Sequence, residues 1–237
     1  MTRTIAFIGL GAMGRNMARR LIEAQNRVTG YDINPAALAA LEQAGGHPAK
    51  SAADAARGAE ILVLMVVNAD QAEQVLLSDG AMAALAPAPT VLLMATCSPA
   101  RAASMAKAVE ASGRAFIDAP VSGGVAGAST GTLTIMAAAK TSVFDSARPV
   151  LATMGSNLFH LGEHPGQGAA MKTVNQLLAG VHIAAAAEGL ALAEKCGIDA
   201  ALALEILSGS AASSWMLKNR GPRMVKDDGQ VTSAVDI

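Results

Sequence analysis

Three groups of residues in this 237-residue chain have the types and spacing to do chemistry. The first is Gly9-Leu10-Gly11-Ala12-Met13-Gly14, a G-x-G-x-x-G run that follows an apolar stretch and opens a helical pattern. In that context Gly9 permits a tight turn, Gly11 lets the backbone approach a pyrophosphate, and Gly14 lets helix and strand pack closely. The helix start adds free N–H groups and a positive dipole end. The second group is Asp118-Ala119-Pro120-Val121-Ser122-Gly123-Gly124, small and polar after a strand-like run. Ser122, Gly123 and Gly124 can turn successive N–H groups into a concavity that suits a carboxylate. A plain glycine turn has the same composition. The third group is Lys172 and Asn175, three apart and so on one face of a helix. A lysine near a helix N-terminus is electrostatically unfavourable. That placement, with partial burial, lowers the ammonium pKa toward values useful to a general acid and base. A surface lysine lying along apolar neighbours fits the same spacing. His182, seven residues past Asn175, either lines the far end of a pocket or is simply packed.

The cofactor side is more specific. Asp32 follows Tyr31 at the end of a second strand, eighteen residues after Gly14, close to the offset of about 20 at which a carboxylate meets the ribose hydroxyls of NAD. No arginine follows it directly, so a 2′-phosphate would be repelled and NAD is favoured over NADP. Val66, Val67 and Asn68 close one further strand and Thr96 closes another, both facing the same crevice. An ordinary turn or helix-cap role competes for Asn68 and Thr96. The expected cofactor set is therefore Gly9, Leu10, Gly11, Ala12, Met13, Gly14, Tyr31, Asp32, Val66, Val67, Asn68 and Thr96.

These residues need elements to position them. Residues 5–8, 28–31, 61–67, 91–95 and 115–118 read as short buried strands, and 13–24 and 35–41 as helices, with Pro99 starting a third. This alternation predicts an α/β Rossmann-type domain with a parallel sheet. After Gly166 the character changes. From Gln167 to Cys196 no proline interrupts one long helical pattern, which a glycine ends at Gly197. Residues 199–207 and 213–220 read as shorter helices. The expected organisation is a Rossmann domain over residues 1–165 and an all-α domain over 166–237, joined by the long helix.

Composition narrows the function classes. Eighteen basic and nineteen acidic side chains leave a net charge of -1, with no long-range attraction for nucleic acid or anionic membranes. Cys97 and Cys196 lie far apart, with no spacing that suggests a metal site, and they point to a reducing, cytoplasmic compartment. No targeting segment is visible, and no apolar run is expected to span a bilayer as a lipid-facing helix. The alanine-rich helical part favours a homo-oligomer.

Residues 9–14, 118–124 and 168–175, in this order and spacing, resemble the β-hydroxyacid dehydrogenase family, which includes 3-hydroxyisobutyrate dehydrogenase. The likeness runs along the whole chain. It implies that Lys172 is the catalytic lysine, and that Ser122, Gly123 and Gly124 hold the substrate carboxylate. It further implies that Asn175 contacts the reacting hydroxyl or carboxylate, that Thr96 contacts the cofactor, and that the substrate is a small hydroxy acid. A closer likeness, carried by residues 176–184, 214–216 and 233–237, is to members that oxidise a four-carbon sugar acid beside its carboxylate. Other members act on 3-hydroxyisobutyrate or tartronate semialdehyde. A non-enzymatic dinucleotide-binding relative would lack the lysine, as imine reductases of this architecture usually do. By the same resemblance, residues 233–237 lead into a further helix bearing another cofactor-contacting lysine, so the chain is expected to be truncated.

Overall fold

The structure, a computed structural model, describes residues 2–226. The further helix expected after residues 233–237 lies outside the described residues. The chain forms two compact units, Met1–Lys172 and Thr173–Ile237.

The first unit is built on a sheet whose strands are β1 (Thr4–Ile8), β2 (Arg27–Tyr31), β3 (His47–Pro48), β4 (Ile61–Leu64), β5 (Thr90–Leu93), β6 (Ala115–Asp118), β7 (Val121–Ser122), β8 (Thr134–Ala138) and β9 (Asn157–Gly162). Its helices are α1 (Gly14–Glu23), α2 (Pro35–Gln43), α3 (Ala52–Ala56), α4 (Ala69–Glu73), α5 (Ala81–Ala84), α6 (Pro99–Ala111), α7 (Gly124–Thr130) and α8 (Thr141–Met154). The strand order is β3-β2-β1-β4-β5-β6-β8-β7, with β9 also paired to β8. Strands β3 through β6 run parallel. The sheet is not wholly parallel as expected, because β8 pairs antiparallel with both β6 and β7. Only one residue separates Asn157 from the isolated bridge at Gly155, and β9 then returns parallel to β8 by way of α8.

Strand alternation divides the core into two layers. Ile5, Phe7, Val63, Leu92 and Ile117 pack on one side, and Ala6, Ile8, Leu62, Leu93 and Phe116 on the other. Helix α1 buries Gly14, Met17, Ala18 and Leu21, an i, i+3, i+4, i+7 stripe that lays it on the sheet. Asn34 and Ser98 cap α2 and α6, each followed by a proline at the first helical position.

The long helix α9 spans Gln167–Lys195. It ends at Gly197 (φ +81°), where Ile198 N–H donates to Ala193 O and Gly197 N–H donates to Glu194 O, a Schellman closure. Helices α10 (Ala200–Gly209) and α11 (Trp215–Lys226) follow. They press together where a Cβ on Gly221 would lie 2.4 Å from Leu204 Cδ1.

Two expectations need correction. The strand expected over 61–67 ends at Leu64, because the ladder with β1 and β5 stops there and apolar residues merely continue. The expectation that no run could span a bilayer also fails by length and composition. Helix α9 has 29 residues and a mean hydropathy of 1.4 in its most apolar window. Its alanines raise the hydropathy, and Asn175, Gln176, His182 and Glu188 interrupt the run.

Candidate active site

The strand order reverses direction at β1, which lies between β2 and β4, so the carboxyl ends of these strands open a crevice. The glycine run makes the turn there. Gly9 takes φ +94°, and its N–H donates to Tyr31 O at 3.0 Å. A Cβ on Gly9 would lie 2.4 Å from Met65 O, and one on Gly14 would lie 1.9 Å from Gly9 O. Both glycines are therefore required by the chain itself. Gly11 differs: a Cβ there would meet nothing within 4 Å. No side chain caps α1 at Met13, and its first turn holds no acid. An exposed backbone, open space and an uncapped helix start fit the pyrophosphate of a dinucleotide.

Asp32 stands beside this loop and holds it. Its Oδ2 accepts from Leu10 N–H at 2.6 Å, and its Oδ1 accepts from Asn34 N–H at 2.8 Å. The carboxylate is half-buried and still reachable from the crevice edge. Val66 and Val67 lie in the loop after β4, Val67 being 72% exposed. Asn68 is an N-cap, its Oδ1 accepting from Gln71 N–H at the start of α4. Thr96 lies half-buried in the loop after β5.

Sequence reasoning missed the clamp that ties these two loops. Arg101 Nε and Nη2 donate to both oxygens of Glu73 at 3.0 and 2.6 Å, and Nη1 reaches Asp70. This bidentate pair joins the end of α4 to the first turn of α6, and the bond to Asp70 reaches the first turn of α4, so the helices that follow β4 and β5 are tied together. The adjacent Cys97 thiol is pushed up to about 11, by burial first and then by Asp118. It stays protonated near neutral pH and is no nucleophile.

At the next strand end, Ser122 closes β7, and Gly123 (φ +123°) and Gly124 (φ +62°) turn into α7. Gly123 and Gly124 thus both take positive φ, and no side chain caps α7. Successive N–H groups can converge in such a turn, as an anion site requires. Among the described residues two charged side chains are buried, Asp118 at 1% exposure and Lys172 at 8%. Asp118, at the end of β6, accepts at Oδ2 from Gly166 N–H (2.8 Å) and Ala169 N–H (2.9 Å). Burial raises its carboxyl pKa, and backbone N–H groups of Ala169, Gly166 and Gly168 oppose the rise. Burial alone lowers the Lys172 pKa from the ordinary lysine value.

The same strand end therefore carries Ser122 four residues onward in sequence and holds the helix start that bears Lys172. Asn175 follows one turn later on α9, its Nδ2 donating to Gln176 Oε1 at 3.2 Å. His182, further along, is exposed. Among the described residues no group of three or more His, Cys, Asp and Glu side chains gathers as a metal ion would need.

Two family models match the chain: the NAD binding domain of 6-phosphogluconate dehydrogenase over residues 4–162, and the NAD-binding part of NADP-dependent 3-hydroxyisobutyrate dehydrogenase over residues 166–237. The L-threonate dehydrogenase of Cupriavidus necator is 40% identical over 238 residues, covering 100% of this chain and 80% of that protein. The 3-hydroxyisobutyrate dehydrogenase of Pseudomonas aeruginosa is 40% identical, covering 92% of this chain and 73% of the relative. A crystal structure of a 3-hydroxyisobutyrate dehydrogenase from Salmonella typhimurium superposes with a TM-score of 0.92 at 39% identity, covering 98% of this chain and 81% of the other.

Proposed function

Since the chain belongs to the β-hydroxyacid dehydrogenase family, the relatives of 3-hydroxyisobutyrate dehydrogenase, we propose that it oxidises L-threonate at the C2 hydroxyl to the 2-oxo acid, with Lys172 receiving the proton. It is an NAD-dependent hydroxyacid dehydrogenase. The observation that carries the mechanistic reading is the burial of Lys172 at the first turns of α9, behind the strand end that leads to Ser122. The substrate rests on the likeness to L-threonate dehydrogenases along the full chain.

Bound NAD supplies a hydride acceptor, and the chain supplies position and proton transfer. Ser122, Gly123 and Gly124 hold the substrate carboxylate on their N–H groups. Asn175 orients the hydroxyl or the carboxylate. Lys172, in the neutral form that burial favours over the ammonium, takes the hydroxyl proton on Nζ as the C2–H bond breaks. In the reverse direction the Lys172 ammonium returns that proton to the carbonyl oxygen. Gly9, Leu10, Gly11, Ala12, Met13 and Gly14 cradle the pyrophosphate, Tyr31 and Asp32 bound the ribose, and Val66, Val67, Asn68 and Thr96 line the crevice. On this reading residues 1–165 bind the cofactor and 166–237 form the helical domain.

The test is a panel of L-threonate, 3-hydroxyisobutyrate, L-serine and D-glycerate, with NAD. L-threonate is expected to give the highest kcat/KM, and turnover of another acid without turnover of L-threonate sinks the substrate assignment. The runner-up substrates within the family are 3-hydroxyisobutyrate and tartronate semialdehyde.

Asp32→Ala separates ribose recognition from loop support. The variant loses the acceptor for Leu10 N–H, so both dinucleotides weaken. NAD is expected to weaken about tenfold more than NADP, because hydrogen bonds to a charged acceptor are worth roughly 1.5–3 kcal/mol. Equal losses in calorimetric titrations would mean that the carboxylate serves the loop alone.

The same reading places the protein in the cytoplasm as a homo-oligomer. Its two cysteines are unbridged. Within the second unit Leu177, Val181, Leu202 and Ile206 are exposed apolar residues of the kind self-association covers.

A further inference from the structure

Asp118 is an acid, 1% exposed and used by no step above. An acid in such a place is costly unless its bonds serve something. Its Oδ2 accepts from Gly166 and Ala169, residues 48 and 51 positions away, so the cap of α9 comes from a distant strand and not from the helix's own sequence. The first turn of α9 contains no acid of its own. Asp118 thus supplies the acceptor that the free N–H groups of the helix start need. Gly168 completes the seat. A Cβ there would lie 2.6 Å from Met136 O, 2.7 Å from Asp118 O and 3.0 Å from Asp118 Cγ, so bare helix backbone presses on the end of β6 and the middle of β8. Lys172 is four residues beyond Gly168, one turn along the same face.

We propose that Asp118 and Gly168 are positioning residues: together they seat the first turn of α9 on the end of β6 and the middle of β8 and so fix where the Lys172 amine stands. The inference rests on the reading of Lys172 as proton acceptor. Four residues of helix rise only about 6 Å, so a shift at the seat passes almost undamped to Lys172. Displacements near 1 Å at a reacting group can cost on the order of 100-fold in rate. The cofactor loop hangs from β1 and β2, whereas the hydrogen bonds and close backbone approach of the seat are made to β6 and β8.

The experiment compares Asp118→Asn, Asp118→Glu and Gly168→Ala in the full chain with L-threonate and NAD. Asp118→Asn keeps one acceptor oxygen but puts an NH2 group at the other carboxyl position, which is buried as well. Asp118→Glu keeps the charge but moves it by one methylene into space that the helix occupies. All three are expected to lower kcat by about 10–100-fold, with NAD affinity and KM within about threefold, and Asp118→Glu is expected to be no better than Asp118→Asn. The rate of Lys172 labelling by reductive methylation, read by peptide mass without any turnover, is expected to rise in Asp118→Asn and Gly168→Ala while other lysines keep theirs.

Wild-type kcat and unchanged Lys172 labelling in these variants would overturn the proposal. So would a full rescue by Asp118→Glu, which would make the role one of charge alone. Parallel loss of kcat, NAD affinity and thermal midpoint would also overturn it, by reducing Asp118 to a folding residue. Lys172→Ala in the same series separates the two readings. If that variant is inactive and the Asp118 and Gly168 variants are unimpaired, only the positioning inference falls. If Lys172→Ala retains full activity, the proton-acceptor reading falls and takes this inference with it.

Discussion

Lys172→Ala is expected to lower kcat for hydroxy-acid oxidation by about a thousandfold, within the range of roughly 10²–10⁴ contributed by a positioned general base, while NAD affinity stays close to wild type. The split follows from the structure. Lys172 is buried and belongs to the helix start held by Asp118, whereas the proposed pyrophosphate cradle is built by Gly9–Gly14 backbone on β1 and α1. The pH dependence has a fixed sign. Oxidation needs the neutral amine, and burial lowers the Lys172 pKa from 10.5. The rate of oxidation should therefore rise with pH through a midpoint below the ordinary lysine value. Reduction, which needs the ammonium, should fall over the same interval. Stopped-flow or steady-state profiles of wild type and Lys172→Ala check both statements, and an unchanged kcat in the variant refutes the proton-acceptor role.

The second large effect is a contrast between two glycines of one loop. Gly14→Ala drives a Cβ to 1.9 Å from Gly9 O, a backbone atom with no freedom to retreat. It is expected to cost on the order of 1–3 kcal/mol of stability, as overpacking does, and to open the turn. Gly11→Ala meets nothing within 4 Å and should fold normally. It is nonetheless expected to weaken NAD at least about tenfold, equivalent to roughly 1.4 kcal/mol, because the added methyl stands where the pyrophosphate must approach. Thermal midpoints and calorimetric NAD titrations of the two variants measure this directly. A Gly11→Ala protein that binds NAD as wild type does would contradict the placement of the pyrophosphate on this turn.

Much of this arrangement was legible in the sequence because its signals are local. The glycine run, the offset to Asp32 and the β-α alternation all lie within stretches of about thirty residues. The long helix was expected over 167–196 and is found at Gln167–Lys195, since a glycine ends it cleanly. Residues 120–166 carried no expected elements, yet they hold β7, α7, β8, α8 and β9. Pro149 lies inside α8, where proline argues against a helix, and β9 alternates half-buried with exposed residues without a strong apolar run. The strand expected over 61–67 ran too far because Val66 and Val67 are apolar for a reason other than strand pairing.

The candidate site is legible in part for the same reason. Lys172, Ser122 and the glycine loop show in the types and spacing of nearby residues. Asp118 was visible only as one letter of a motif. Its partners, Gly166 and Ala169, are close only after the chain has folded β7 through β9 between them. The Arg101 clamp on Glu73 and Asp70 is equally non-local, joining two helices that follow different strands. Asn68 is a local case: the helix-cap role that its position after an apolar run allows is the one its side chain makes at the start of α4.

The most direct measurement is a crystal structure of the ternary complex with NADH and L-threonate. The expected result places Lys172 Nζ at hydrogen-bonding distance, roughly 2.6–3.2 Å, from the C2 hydroxyl oxygen, with the carboxylate on the N–H groups of Ser122–Gly124 and the nicotinamide across the C2 carbon. A complex with the substrate carboxylate bound elsewhere and the Lys172 amine turned away from the hydroxyl would contradict the proton-acceptor assignment.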